Sequence, residues 1–254
     1  MARLLALPVL LALLSIGCAH AVPAERLEVI RTFPHDPEAY TQGLVYYDGR
    51  LFESTGLHGE STLRELDPRT GEVIRTVALD DEYFAEGLAR VDSSLVQLTW
   101  TEGTAFVYDL ESFELLSTFE YDTEGWGLCH DGEALYMTDG SATLYRRDPR
   151  TFAVLDTRRI TRGGRALSGV NDLACVDSDL YANVLDTDII VRIDKEAGEV
   201  LSQIDASGLV PDGGRPDHDQ AVLNGIAFDP EAETFFLTGK LWPTMFEVQF
   251  HPGR

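Results

Sequence analysis

Basic residues are scarce in this sequence: 20 Lys and Arg stand against 43 Asp and Glu, a net charge of −23. An acidic surface of that kind repels nucleic acid and anionic lipid headgroups, so neither is an expected partner. Cysteine is scarcer still. With Cys18 in a leader-like segment, only Cys129 and Cys175 remain, too few for a disulfide scaffold, and one bridge or two buried free thiols fit equally. The histidines His20, His35, His58, His130, His218 and His251 are scattered, with no HExxH pair and no cysteine spacing suited to zinc. "LTGKLW" lacks the upstream loop and the Ser or Thr of a phosphate-binding P-loop, and there is no GxSxG elbow. No long segment shows a 3.6-residue apolar period, which points to a nearly all-β fold.

Long apolar runs are confined to the first twenty residues. Leu4 to Ile16 is about 13 residues long, preceded by one Arg and followed by small residues. It reads as a signal peptide over residues 1–21, too short for a permanent membrane span. Two cleavage sites compete: "Ala19-His20-Ala21" suits an ordinary signal peptidase, whereas "LSIGC" resembles a lipoprotein box that would leave a lipidated Cys18. Either way the expectation is an exported protein, periplasmic or lipid-anchored at the cell envelope. The rest of the chain, 44% hydrophobic and 25% charged over the whole sequence, suits one domain with one sizeable core, residues 26–254.

What is present is a repeat. "YTQGLVYYDGRLFEST", "FAEGLARVDSSLVQLTW", "GWGLCHDGEALYMTDG", "VNDLACVDSDLYANVL" and "LNGIAFDPEAETFFLTGK" share one form: apolar strand, polar turn, second strand. With Gly43, Gly87, Gly127, Asp172 and Gly225 as equivalents, the spacings are 44, 40, 45 and 53 residues, the period of a propeller blade. Further hairpins such as "LRELDPRTGEVIRTV" and "FVYDLESFELLSTF" lie between the copies and supply outer strands. The last copy ends one strand short, and "RLEVIRTF" near the N-terminus resembles the outer strand "GEVIRTV". The expectation is an all-β, five-bladed β-propeller whose last blade is completed by the N-terminal strand. Residues 207–222 are expected to form a loop over one face.

The residue before each repeat position, Gln42, Glu86, Trp126, Asn171 or Asn224, occupies an equivalent place on an innermost strand. Such a ring either holds ordered water or forms a small pocket. Tyr40 and Phe84, two residues ahead of Gln42 and Glu86, with Trp100 and Lys240 at the ends of "VQLTW" and "FFLTGK", favour the pocket.

At these residues the sequence resembles the plant and bacterial type of glutaminyl-peptide cyclotransferase, or glutamine cyclotransferase, a five-bladed propeller. The matching segments, "YTQGL", "LFESTGLHGES", "FAEGL", "QLTW", "EGWGL", "LYMTDGS", "YANV", "VLNGIAFD" and "LTGKLWP", run in the family's order from Tyr40 to Pro243. The resemblance implies an acyltransferase that converts N-terminal glutamine of peptides or proteins to pyroglutamate with release of ammonia, without cofactor or metal. It implies Glu86, Lys240 and Asn171 as the catalytic residues. Gln42, Tyr40, Phe84, Trp100 and Trp126 are implied as the substrate-binding ones. Two positions depart from the family: its Asn-Glu-Leu-Glu motif is "NDLA" here, and the Trp usual after "YANV" is Leu185.

The chemistry agrees with that assignment. An α-amine titrates near about 8, so part of it is already a free nucleophile at neutral pH. The difficult step is expelling ammonia, which needs a proton on the departing nitrogen and a stabilised oxyanion. A carboxyl in an aromatic pocket suits the first need; Lys240 and Asn171 suit the second. A monomer acting on glutaminyl peptides is expected. The competing readings are a non-catalytic propeller that binds a peptide or protein partner and a calcium-dependent lactonase-like propeller.

Overall fold

The computed structural model describes residues 21–253. The leader through His20, Cys18 included, lies outside the described residues. Strand β1 (Ala24–Pro34) is followed by three antiparallel four-stranded sheets. The first joins β2 (Thr41–Tyr47), β3 (Arg50–Thr55), β4 (Thr62–Leu66) and β5 (Val73–Ala78). The second joins β6 (Ala85–Val91), β7 (Ser94–Thr99), β8 (Thr104–Asp109) and β9 (Leu115–Glu120). The third joins β10 (Leu128–His130), β11 (Leu135–Thr138), β12 (Thr143–Arg147) and β13 (Val154–Arg159). A short hairpin that the repeat pattern does not show, β14 (Thr161–Arg162) with β15 (Arg165–Ala166), comes next.

The remaining strands share one eight-stranded sheet. It contains β16 (Val170–Val176), β17 (Asp179–Val184), β18 (Ile189–Asp194) and β19 (Val200–Asp205), then β1, and then β22 (Thr244–Pro252), β21 (Thr234–Gly239) and β20 (Leu223–Asp229). β1 pairs antiparallel with β22, with Leu27 opposite Phe250 and Phe33 opposite Met245. A short parallel pairing of Ala24 and Glu25 with Gln203 and Ile204 links it to β19. The described residues are all β, and the sheets are arranged as in a β-propeller: β2, β6, β10, β16 and β20 neighbour one another in that order, and β20 returns to β2.

Turn chemistry in the sequence explains the hairpins. Asp48-Gly49 joins Tyr47 to Arg50 with φ of 52° and 72°, the two left-handed residues of a type I′ turn. The outer hairpins reuse one device. Asp67, Asp109, Asp148 and Asp194 each accept backbone N–H bonds from the residues two and three further on. The fourth residue beyond each, Gly71, Phe113, Phe152 or Gly198, returns its N–H to the Asp carbonyl at 2.8–2.9 Å. The repeated "LDPRTGE", "YDLESFE", "RDPRTFA" and "IDKEAGE" are therefore one turn four times over.

Apolar faces pack between successive sheets. Phe52 and Leu63 meet Leu88 and Leu95; Val96 and Leu98 meet Leu135 and Met137; Tyr136 and Leu144 meet Leu180 and Ile193. Ile190 and Ile204 meet Phe235 and Val248, and Phe33 and Phe236 meet Leu44 and Leu51. Near the axis the backbones come closer still. A Cβ on Gly43 would lie 2.7 Å from the nitrogen of Leu88, one on Gly87 2.4 Å from the Trp126 oxygen, and one on Gly127 1.9 Å from the Asn171 oxygen. Only glycine permits that approach. At the equivalent position Asp172 is fully buried, and its carboxylate accepts the N–H groups of Leu173 (2.9 Å), Leu44 (3.1 Å) and Ile226 (2.8 Å), joining β16 to β2 and β20. Burial pushes its pKa well above the usual carboxylate range, although the three N–H donors oppose the shift.

Of the two cysteine readings the structure has the bridge: Cys129 on β10 is bonded to Cys175 on β16, with their Cα atoms 5.6 Å apart. It closes a loop of sequence separation 46, for which chain entropy gives an upper figure of about 4 kcal/mol. The double variant Cys129→Ser/Cys175→Ser should fold with a thermal midpoint lower by roughly 10 °C. Reductant should have the same effect on the parent protein, and a midpoint that neither treatment moves would show that the bridge carries no stability.

Candidate active site

Four innermost strands carry a register shift at the same repeat position: between Thr41 and Gly43, Ala85 and Leu88, Val170 and Leu173, and Leu223 and Ile226. A bulge lifts the local chain out of the pleat and re-aims the side chain there. Gln42, Glu86, Asn171 and Asn224 are the residues it affects. The first three converge on a cavity of about 240 Å³. The eight residues that the resemblance implies for the site, Tyr40, Gln42, Phe84, Glu86, Trp100, Trp126, Asn171 and Lys240, all line it. A larger opening of about 450 Å³ lies at the opposite ends of the same strands. Of the aspartates lining it, Asp92, Asp131 and Asp177, Asp131 is already paired with Lys195 at 2.6 Å.

Glu86 is 5% exposed. Burial raises its pKa well above the ordinary carboxylate value; Lys240 opposes the shift through space, and Asp172, Glu102 and Glu124 reinforce it. Gln42 Nε2 donates to Glu86 Oε1 at 2.7 Å, and Asn224 Nδ2 donates to Gln42 Oε1 at 3.2 Å, so a relay of amides fixes the carboxyl. Lys240 is also buried, and burial lowers its pKa while Glu86 and Asp186 act the other way. Its Nζ stands 4.6 Å from the centroid of the Tyr40 ring. Asn171 is 2% exposed, and its Oδ1 has no partner among the described residues. An acid held toward its neutral form, an ammonium and an unsatisfied carboxamide thus face one small space.

The walls are aromatic. Tyr40 and Phe84 meet edge to face with centroids 6.0 Å apart, and Phe84 meets Trp100 likewise at 5.7 Å. Trp126 backs onto Gly140, whose φ is 77° and whose Cβ would come within 2.5 Å of the indole. Some placements differ from the sequence reading. β2 and β6 begin at Thr41 and Ala85, so Tyr40 and Phe84 precede their strands rather than lie on them. Trp100, Trp126 and Lys240 fall just outside strands, and Asn224 props Gln42 instead of lining the cavity. Sequence reasoning passed over Leu57 and Gln220, which also line the cavity; Gln220 Oε1 accepts the Tyr40 hydroxyl at 3.0 Å. Gln220 lies in the 207–222 loop, where no repeat could mark it.

The family model for glutamine cyclotransferase matches residues 4–250. The chain belongs to that family. It is similar to a glutaminyl-peptide cyclotransferase of Arabidopsis thaliana, 40% identical over 241 residues, which are 92% of this chain and 74% of the relative. It is similar also to the crystal structure of Myxococcus xanthus glutaminyl cyclase, at 36% identity and a TM-score of 0.86, covering 92% of this chain and all of that one. The structure of U3-55K, at 9% identity and a TM-score of 0.55 over 89% of this chain and 99% of the other, shares the fold alone.

The two departures from the glutamine cyclotransferase pattern now have places. Leu185 lines the cavity where the resemblance expects an indole. In "NDLA", Asp172 makes the three backbone contacts near the axis, and Ala174 packs in an apolar cluster.

The cation of this cyclotransferase site rests on a buried support. Lys240 begins a turn that Trp242 anchors: the indole is fully buried and its Nε1 donates to the Ala221 carbonyl at 3.0 Å. His35 Nδ1 donates to the Trp242 carbonyl at 2.8 Å, and His35 Nε2 lies 2.9 Å from Glu53 Oε1, which also accepts the Thr41 hydroxyl at 2.7 Å. Burial alone would lower the His35 pKa, but Glu53, the Trp242 carbonyl and Asp36 together outweigh it and the net shift is upward. Burial would likewise raise Glu53, yet His35 carries it below its ordinary value. The His35 contribution to stability is therefore whole below about pH 6.5 and is lost as pH rises through its raised pKa. That of Glu53 is whole above about pH 4.5 and is lost as pH falls through its lowered pKa. Unfolding free energy measured against pH should show both in full between those limits, and His35→Gln should remove the decline on the alkaline side. A variant that keeps the parental slope would assign that decline to another group.

Proposed function

We infer that this protein is a glutaminyl-peptide cyclotransferase that cyclises N-terminal glutamine of peptides or proteins to pyroglutamate and releases ammonia. Family membership and the 40% identical relative support the activity. The observation that carries the mechanism is Glu86, buried, held by Gln42 and biased toward its neutral form beside an ammonium.

The reaction is an intramolecular aminolysis, an acyl transfer from one nitrogen to another. The substrate's glutaminyl side chain enters the aromatic cavity, and its neutral α-amine attacks the side-chain carbonyl carbon. A carbon–nitrogen bond forms, closing a five-membered ring, and the carbonyl oxygen takes up the charge. Lys240 and the Asn171 amide stabilise that oxyanion, while the unpartnered Asn171 Oδ1 accepts a substrate N–H. Glu86 gives its proton to the departing nitrogen, the old carbon–nitrogen bond breaks, and ammonia leaves. The carboxylate then recovers a proton from the attacking nitrogen, so the enzyme returns unchanged.

Five blades are part of this reading: three four-stranded sheets, two more four-stranded units within the eight-stranded one, and apolar clusters between each successive pair support the count. So is export to an oxidising compartment, which the leader-like segment and the Cys129–Cys175 bridge support. A calcium-dependent lactonase needs several carboxylates converging on one ion, and Glu86 is the one carboxylate among the described residues that line the cavity.

Glu86→Gln should lower kcat by about 10²–10⁴ and leave KM nearly unchanged, because the amide keeps the size of the site but carries no transferable proton. Lys240→Met should also lower kcat, through the lost oxyanion partner. A folded Glu86→Gln protein that cyclises glutaminyl peptides within a few fold of the parent would remove Glu86 from the proton path. Ammonia release should also survive exhaustive chelation. Loss of turnover that added zinc restores would overturn the mechanism.

A further inference from the structure

Glu124 was not among the residues singled out in the sequence, and it does not line the cavity. It lies between β9 and β10, and one oxygen of its carboxylate serves two walls. Oε2 accepts the indole N–H of Trp100 at 2.8 Å and that of Trp126 at 2.9 Å. The two indoles come from neighbouring sheets, one just after β7 and one just before β10.

Backbone bonds fix where these residues start: the Trp100 N–H donates to the Phe84 carbonyl at 2.8 Å, and the Trp126 N–H to the Thr138 carbonyl at 3.0 Å. They leave the side-chain torsions free. Trp126 has Gly140 behind it, so it cannot retreat, but Trp100 is 38% exposed and meets the Phe84 ring edge to face. An exposed indole samples several rotamers unless a polar contact selects one. Here a single oxygen of Glu124 selects the orientation of both rings.

We propose that Glu124 is a positioning residue that holds Trp100 and Trp126 in the orientation that closes the cavity around the glutaminyl side chain, and so sets KM rather than kcat. The proposal rests on the function inferred above, since it assigns the two indoles to substrate binding. It gives the two acids different parts, one shaping the cavity and the other moving the proton, although the Glu124 charge also adds to the upward shift of Glu86.

The variants are Glu124→Ala and Glu124→Gln, each checked for an unchanged thermal midpoint, as expected for an exposed side chain. Kinetics with the dipeptide glutaminyl-alanine should give Glu124→Ala a KM at least tenfold higher with kcat within about threefold of the parent. Glu124→Gln keeps an oxygen that can accept both N–H groups and should recover most of that loss. Tryptophan emission gives an independent reading. The chain has three tryptophans, and the third, Trp242, is fully buried elsewhere, so changes report on Trp100 and Trp126. Glu124→Ala should shift emission to longer wavelength and make it more readily quenched by acrylamide, and Glu124→Gln should not. A Glu124→Ala protein with parental KM, emission and quenching would overturn the proposal. So would a Glu124→Gln protein as impaired as Glu124→Ala. If the parent protein itself released no ammonia, the inferred function would fail, and emission and quenching would still decide whether Glu124 holds the indoles.

Discussion

No side chain fits between the innermost strands where Gly43, Gly87 and Gly127 meet their neighbours, and the active site depends on that closeness. Strands that pack backbone against backbone bring their ends within reach of one another, so residues more than forty positions apart in sequence can share one hydrogen bond, as Gln42 and Glu86 do. The bulges on β2, β6 and β16 then turn Gln42, Glu86 and Asn171 toward the common space. Where glycine is replaced, Asp172 reaches backbone donors on β2 and β20 as well as its own strand, filling room that would otherwise leave three N–H groups unsatisfied.

The same closeness excludes water, which sets the electrostatics. Glu86 and Lys240 are both buried, and burial moves each toward its uncharged form. They also attract through space, which moves each back. Burial and mutual attraction therefore act in opposite directions on the same two groups. Such a site is intrinsically destabilising, and the surrounding structure offsets it: the buried His35–Glu53 pair beneath the Lys240 turn, the fully packed Trp242 and the apolar layers between sheets.

Much of this was legible in the sequence because a repeat exposes equivalence. The glycine positions, the Asp of each outer turn and the residue ahead of each glycine could be aligned without coordinates, and the N-terminal strand could be matched to the incomplete last copy. What stayed hidden depends on lateral contacts that no repeat encodes. Glu124 precedes a glycine in "TEGWGL" and looks like an ordinary solvated acid until two indoles are seen on one oxygen. Gln220 and Leu57 reach the cavity from connecting segments, and the hairpin β14–β15 sits in an insertion. The pairing of Cys129 with Cys175 could not be read because it needs β10 and β16 to be side by side, which is a fact about the ring and not about either strand.

The partnership of β1 with β22 has a consequence for how the molecule comes into being. Strand β1 has its antiparallel partner only once Thr244–Pro252 is in place, and without that segment it is held to the sheet by the short pairing of Ala24 and Glu25 with β19. Sheets made early can form as hairpins of low contact order, yet the circle is shut only by a contact spanning almost the whole chain. A chain in which β1 and β22 have not yet met therefore carries the parts of the cavity without the closed ring that holds them together.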